Sequence, residues 1–236
     1  ELALACQYRI CTTHPSTQLG LPEVQLGILP GGGGTQRLPR VIGITQALDM
    51  ILTGKKVTGK KALKLGLVDD LVAENQLLEK AMALCKAKQG FIRKLPASIG
   101  LISSFQGQFD AQKVALESNF LGRSLISKKS HALIMKNTKG HYPAPLSALN
   151  SVMQGVATSL EKGLQIEARL FGELVVTPQS RSLVHIFNMI TAAKKNPYPK
   201  DIQEKSNQLY MNFLKNGRQS VGILGAGLMG SGISTV

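Results

Sequence analysis

The sequence predicts an α/β fold, and three features of its 236 residues indicate that class. Residues 1–71 mix short strand-like runs with turns and helical segments. Residues 77–84 and 146–190 carry apolar side chains at three- and four-residue steps, the spacing of amphipathic helices. The apolar run Val221–Leu224 leads into a glycine-rich turn and a further apolar segment, the order of strand, turn and helix. With 43% hydrophobic and 18% charged residues, the composition is that of a globular protein.

The charge balance is strongly basic. The formal net charge of +14 favours anionic partners such as nucleic acid, an anionic membrane or a phosphorylated ligand. The lysines are dispersed and no aromatic-interleaved RNA-binding motif accompanies them, so we interpret the charge as a solvated surface. The three cysteines, Cys6, Cys11 and Cys85, indicate a reducing compartment, and neither they nor the four histidines have metal-ligand spacing. No run of about 18 apolar residues predicts a membrane span.

The first third of the chain predicts a series of short elements. The first eleven residues predict a helix running into a strand, a turn is predicted over Thr12–Ser16, and Gln18–Leu21 predicts a second strand. Gly31–Gly34 predicts a turn, because glycine loses more backbone freedom on ordering than any other residue.

Two helices and a further strand are predicted after the glycines. The first helix begins at Thr35. The second runs through Gln46–Ile51 and ends at Gly54, because glycine commonly caps helix C-termini. A short apolar strand is predicted at Leu67–Val68.

The middle of the chain is predicted to be mainly helical. A helix is predicted from about residue 74, followed by a loop-rich stretch over 86–110. After the two prolines of HYPAPL, one long amphipathic helix is predicted. Its apolar face is predicted to consist of Leu146, Leu149, Val152, Val156, Leu160, Leu164, Ala168, Phe171 and Leu174. Pro178 is predicted to interrupt this helix, and residues 194–219 to form a polar linker.

Carboxylates and glycines near the start of the chain indicate acid–base chemistry. Adding water across a conjugated double bond needs a base for the water, an acid for the α carbon and donors for the enolate. Two carboxylates that flank one water supply the first two functions. Glu1 heads ELALAC, and Glu23 stands in LPEVQLGILPGGGGTQRL. Taken alone, Glu1 is also an ordinary glutamate at a helix start and Glu23 an ordinary loop carboxylate.

Over residues 1–71 these motifs resemble the active-site segment of enoyl-CoA hydratases. The resemblance implies a crotonase-type fold, with Glu1 as the water-activating base and Glu23 as the proton donor. It implies that the backbone N–H of Gly31 helps to hold the water. It also implies that the enolate-stabilising N–H groups lie in loops upstream of Glu1. We therefore expect the chain to be an internal fragment that is inactive by itself.

The strand and turn at the C-terminal end fit a dinucleotide site. Gly225 would make the tight turn, Gly227 would admit the pyrophosphate, and Gly230 would allow close packing of helix and strand. An ordinary glycine-rich turn is the alternative. The string GILGAGLMGSGI resembles the start of the Rossmann domain of 3-hydroxyacyl-CoA dehydrogenases. That resemblance implies NAD as the cofactor and adds Met229 to the binding residues.

The stretches KNTKGHYPAPL and FGELVVTPQSRSL resemble multifunctional enzymes of fatty-acid β-oxidation. The resemblance implies a hydratase remnant over 1–73, a helical connector over 74–218 and the start of an NAD-binding domain over 219–236. It implies hydration of 2-enoyl-CoA to 3-hydroxyacyl-CoA, followed by NAD-dependent oxidation to 3-ketoacyl-CoA. It also implies acyl-CoA substrates and a thiolase subunit as partner.

Two other functions stay open at the level of sequence. One is an enoyl-CoA isomerase of the same fold, and the other is a non-catalytic acyl-CoA-binding or scaffold protein. We expect a bacterial cytoplasmic location, with the mitochondrion as the alternative.

Overall fold

The computed structural model of the chain describes residues 1–88 and 116–194, and the single residues 204, 205, 208 and 211. The chain divides into two compact units, Glu1–Met189 and Ile190–Val236. In the second unit, the described residues are the end of one helix and the four single residues, which are also helical. The candidate site lies in the first unit.

The first unit begins with short elements joined by tight turns. Their bounds are α1 Leu2–Ala5, β1 Ile10–Thr12, β2 Gln18–Gly20, a 3-10 helix Glu23–Leu26, α2 Gly34–Ile42, α3 Ile44–Thr53, β3 Lys56–Thr58, α4 Gly59–Lys64, β4 Asp70–Val72, a second 3-10 helix Glu74–Gln76 and α5 Leu77–Ala87. Strand β1 pairs in parallel with β4, with Cys11 opposite Leu71. Strand β2 pairs antiparallel with β3, with Leu19 opposite Val57.

Longer helices follow in the described part of the chain. They are α6 Phe120–Thr138, α7 Pro143–Gly155, α8 Leu160–Val175 and α9 Pro178–Lys194. Helix α7 packs against α2, α3, α6 and α8. Leu38 of α2, Ile51 of α3 and Val152 of α7 are fully buried in one apolar core. The short elements and the later helices therefore share a core and fold as one unit.

The structure confirms the predicted elements where the local signal is strong. The second predicted strand is β2. The predicted turn before it is closed by the N–H of Thr17, which donates to the carbonyl of His14 at 2.9 Å. Helix α3 ends at Gly54, whose φ of 64° lies in the left-handed region that glycine adopts without steric cost.

The strand predicted at Leu67–Val68 is wrong, because the strand is β4, a few residues further along. The N–H of Leu67 donates to the carbonyl of Ala62 at 2.9 Å and so closes the end of α4. Leu67 and Val68 are 4% and 3% exposed. Both side chains are buried in an irregular turn. A short apolar run in the sequence fits such a buried turn as well as a strand.

The single long helix predicted after the prolines is also wrong, since two helices occupy this region. Pro143 and Pro145 lie in the first turn of α7. The N–H groups of the first turn have no partner within the helix, so proline, which lacks this group, costs no hydrogen bond there. Helix α7 ends at Gly155. Ser159 then begins α8, because its side-chain oxygen accepts from the N–H of Lys162 at 3.3 Å.

The buried face of α8 differs from the predicted one. Gly163, Glu167, Leu170 and Leu174 are buried, whereas Ala168, predicted on that face, is exposed. A glycine and a carboxylate occupy two of the four buried positions. Because the prediction counts only apolar residues, it places the buried face of α8 at a different angle around the helix axis.

Several expectations fall on residues outside the described ranges. They include most of the loop-rich stretch over 86–110, most of the linker over 194–219 and the whole Rossmann start over 219–236. The domain boundaries after residues 73 and 218 stay predictions. Among the described helices, none is both long and apolar enough to cross a membrane.

Candidate active site

The glycine turn, Gly31–Gly34, presents a row of backbone N–H groups at the start of α2. Gly33 has a φ of +92°, a left-handed conformation in which a side chain would be strained. The first N–H groups of a helix have no carbonyl partner within the helix. The N–H groups of Gly32, Gly33, Gly34 and Thr35 are therefore open to acceptors from elsewhere in the chain.

Glu1 is the first of two carboxylates on this row. Its Oε1 accepts from the N–H of Gly32 at 2.7 Å and from the N–H of Gly34 at 2.8 Å. Within the described residues, no hydrogen-bond donor meets Oε2. The structure thus holds this half-buried carboxylate by one of its two oxygens.

Glu23 lies in a different electrostatic environment. It is the first residue of its 3-10 helix and is half-buried. Its Oε2 is buried and has no hydrogen-bond partner among the described residues. Burial raises the pKa of the Glu23 carboxyl, its own backbone N–H opposes this, and the Glu1 carboxylate adds to the rise. The Glu23 carboxyl is therefore a weaker acid than an ordinary glutamate, mainly through burial and to a smaller extent through Glu1.

Gly31, the third predicted residue, lies under the ring of Phe171. A β-carbon at Gly31 would lie 2.6 Å from Cδ2 of that ring, which is closer than side-chain atoms approach. Only glycine fits this position unless Phe171 moves. The predicted role of its N–H in holding water stays a prediction.

A second carboxylate on the row, Glu167, is absent from the sequence-based predictions. Oε1 of Glu167 accepts from the N–H of Gly33 at 2.6 Å, and Oε2 accepts from the N–H of Thr35 at 2.9 Å and from its hydroxyl. The side chain is 1% exposed. Burial raises the pKa of Glu167 although its three donors lower it, and Glu1 adds to the rise. The four N–H groups thus alternate between Glu1 and Glu167.

Side chains that follow the glycines tie α2 to α7. The Thr35 and Ser151 hydroxyl oxygens are hydrogen-bonded at 2.8 Å. Nε2 of Gln36 donates to the carbonyl of Ser151 at 3.0 Å, and Nη2 of Arg40 donates to the carbonyl of Gly155 at 2.8 Å. All these side chains are buried. Thr35 and Gln36 of the GGGGTQRL motif, together with Arg40 just after it, therefore dock the glycine turn on α7.

A sequence signal for Glu167 exists but is weak. The residue stands one helical turn after Gly163, one before Leu170 and two before Leu174, so it shares their face of α8. A carboxylate on an otherwise apolar helix face needs a hydrogen-bond partner, and this need is the signal.

The predicted dinucleotide site gains no structural test. Gly225, Gly227, Met229 and Gly230 all lie outside the described residues. Within the described ranges, no group of three or more His, Cys, Asp or Glu residues is placed to hold a metal ion.

Comparison with known families finds one match to the first half of the chain. The enoyl-CoA hydratase/isomerase family model matches residues 1–115, which contain Glu1, Glu23 and the glycine turn. This part of the chain is therefore similar to that family.

The whole chain is also similar to larger proteins. It is 44% identical over 238 residues to the fatty acid oxidation complex subunit alpha of Shewanella loihica and 42% identical over 236 residues to that of Shewanella amazonensis. Each match covers 100% of this chain and 30% of the relative. The resemblance to the alpha subunits of fatty acid oxidation complexes is confirmed.

Among solved structures, the enoyl-CoA hydratase of Bacillus anthracis is 27% identical to the chain, with a TM-score of 0.34. The alignment covers 80% of this chain and 53% of the hydratase. At a TM-score this low, the family match rests on the sequence.

Proposed function

We propose that the protein hydrates 2-enoyl-CoA to 3-hydroxyacyl-CoA in fatty-acid β-oxidation, with Glu1 as base and Glu23 as acid. One observation carries the proposal: the two neighbouring carboxylates have unlike environments. Glu1 is held by two N–H groups through one oxygen, whereas Glu23 is half-buried with an unbonded oxygen and a raised pKa. Paired carboxyls whose environments differ in this way divide into a base and an acid.

The proposed reaction uses both groups in one addition. Glu1 takes a proton from water while the water oxygen bonds to the β carbon of the enoyl thioester. Glu23 gives its proton to the α carbon, where the electron pair of the double bond has moved. The addition leaves Glu1 neutral and Glu23 ionised, and a proton passing from the first to the second through solvent restores the starting state. Under this proposal the N–H of Gly31 helps to hold the water.

The test is Glu23→Gln in the natural full-length protein, with crotonyl-CoA as substrate. The substitution keeps the shape and removes the transferable proton, so the hydration rate is expected to fall by about 10²–10⁴-fold. Glu74→Gln is the matched control, because Glu74 also begins a 3-10 helix but is exposed. A hydration rate of Glu23→Gln within about twofold of wild type would overturn the proposal. A shifted double bond in place of a hydroxyl in the product would identify an isomerase.

We further propose NAD-dependent oxidation of the hydroxyacyl product by the same protein. The support is the order of strand, glycine turn and apolar segment around Gly225, Gly227, Met229 and Gly230, together with the similarity to the alpha subunits. NAD would supply the hydride acceptor. The backbone at Gly227 would approach its pyrophosphate, which a side chain there would block.

The name of the relatives, fatty acid oxidation complex, supports two more proposals. One is a thiolase subunit as partner, because a thiolase consumes the 3-ketoacyl-CoA that the oxidation yields. The other is a bacterial cytoplasmic location, since these relatives are bacterial. Co-purification of a thiolase with the tagged protein at native expression would test the first, and fractionation of the same cells the second.

A further inference from the structure

We infer that Glu167 is a positioning residue for Glu1, and that it holds the glycine turn in the one orientation that presents two N–H groups to Glu1. The inference deepens the proposed function and rests on it, because Glu1 is the base of the proposed hydration. It also places part of the hydratase site on α8, which lies outside residues 1–115.

The alternation of donors along the turn is the first argument. Glu1 binds the N–H groups of Gly32 and Gly34, and Glu167 binds those of Gly33 and Thr35. Successive peptide planes therefore point to opposite carboxylates. Rotation of any one plane breaks a bond to one carboxylate and turns an N–H away from it. The two carboxylates together fix an orientation that neither fixes alone.

Glycine makes this restraint necessary. Residues without a β-carbon reach both signs of φ at similar cost, so a run of glycines has no intrinsic preference for one set of peptide orientations. Gly33 already lies at a positive φ of 92°. Without a partner on the Glu167 side, the N–H groups that hold Oε1 of Glu1 would sample other directions.

The burial of Glu167 is the second argument. Burying a carboxylate that is only 1% exposed costs free energy, and a neutral side chain would avoid that cost. A glutamine cannot take its place without a clash of donors. Both oxygens of Glu167 accept backbone N–H groups, so the –NH₂ of a glutamine would face either Gly33 or Thr35 donor to donor. The site requires two acceptors at this position.

The experiment uses Glu167→Gln, Glu1→Gln and the double variant in the natural full-length protein, with crotonyl-CoA as substrate. Misplacement of the base is expected to lower kcat of Glu167→Gln by up to about 10²-fold, with KM within about twofold of wild type. Glu173→Gln is the control, because Glu173 is an exposed carboxylate on the same helix, and its kcat is expected to be unchanged. If Glu167 acts through Glu1, the double variant is no slower than Glu1→Gln.

The outcomes separate this inference from the proposed function. A wild-type kcat for Glu167→Gln overturns the inference alone. So does a double variant whose loss is the product of the two single losses, since that result marks general destabilisation. An unchanged rate for Glu1→Gln overturns the proposed function and the inference with it. If Glu167→Gln fails to fold, Glu167→Asp replaces it: it keeps two acceptor oxygens but withdraws them by one methylene group, and the same non-additivity with Glu1→Gln is expected.

Discussion

The side-chain oxygen of Gln36 occupies the space that a β-carbon on Gly163 would need. Gln36 belongs to α2 and Gly163 to α8, so a single hydrogen atom on the glycine allows the two helices to approach. The amide of Gln36 is also bonded to Ser151 at this point, and it cannot move aside without losing those bonds.

The first prediction tests this close approach. Gly163→Ala is expected to lower the free energy of unfolding by about 1–3 kcal/mol, because the new methyl group overlaps Oε1 of Gln36. Gly172→Ala, on the same helix, is expected to raise it by about 0.5–1 kcal/mol, because a β-carbon there meets nothing within 4 Å and alanine favours the helix. Urea unfolding followed by circular dichroism measures both. Equal effects of the two substitutions would show that the helices do not meet at Gly163.

The second prediction concerns Arg40, a buried cation held by carbonyl groups. It is 2% exposed, and its guanidinium donates to the carbonyls of Gln36, Gly155 and Thr158. Arg40→Lys is expected to lower the free energy of unfolding by about 2–3 kcal/mol, since one ammonium cannot reach the acceptors that the planar guanidinium spans.

Arg169→Lys is the control for Arg40→Lys. Arg169 forms an exposed pair with Glu173, and exposed pairs contribute little to stability. Urea unfolding of the two variants is expected to show a larger loss of unfolding free energy for Arg40→Lys. Similar losses would mean that the carbonyl contacts of Arg40 contribute nothing to stability.

The third prediction is a pH dependence of stability from Glu23. Its pKa is raised from 4.5, so between that value and its raised pKa the folded protein binds more protons than the unfolded chain. The stabilisation is complete below about pH 4.5 and is lost as the pH rises through the raised value. Glu23→Gln removes this loss, so its stability relative to wild type is expected to increase across that window.

Thermal unfolding of wild type and Glu23→Gln at a series of pH values measures the difference. Glu167 also has a raised pKa, but it is present in both proteins. Its contribution to the pH dependence is therefore common to wild type and Glu23→Gln. Glu74→Gln, at an exposed glutamate, is expected to follow wild type at every pH. A constant difference between Glu23→Gln and wild type would mean that Glu23 titrates as an ordinary carboxyl.

The fourth prediction concerns the proposed dinucleotide site. Gly227→Val is expected to abolish NAD binding, since the side chain takes the space of the pyrophosphate. Titration with NAD measures this, and the hydration rate of the same variant is its control because that rate is expected to be unchanged. Wild-type affinity for NAD would show that the motif is an ordinary turn.

Local signals in the sequence predict much of the first unit. Gly54 ends α3 as expected, and the glycine turn lies where four glycines leave no alternative to a turn. The roles of Glu1 and Glu23 as a catalytic pair stay a prediction, and the Glu1 carboxylate adds to the raised pKa of Glu23. Gly54 and the glycine turn are predictable because the conformational preferences of glycine are strong and independent of distant partners.

The features that the sequence does not predict depend on distant partners. Glu167 reads as a polar residue on a surface helix until the N–H groups of Gly33 and Thr35 meet it. Glu117 is similar: it is buried, and it accepts from the N–H groups of Ile44 and Thr45 at the start of α3. A prediction from helical periodicity looks for apolar residues on the buried face. A buried carboxylate therefore interrupts the pattern and is assigned to the surface.

The bond between Glu167 and Gly33 joins residues that are 134 positions apart. On a ribosome that adds about 5–20 residues per second, Glu167 emerges on the order of 10 s after the glycines. Throughout that interval the nascent chain already contains Glu1 and Glu23 but lacks Glu167, which accepts from the N–H groups of Gly33 and Thr35. The moment at which the site becomes complete is therefore set by the synthesis of α8, long after the residues of the proposed chemistry have been made.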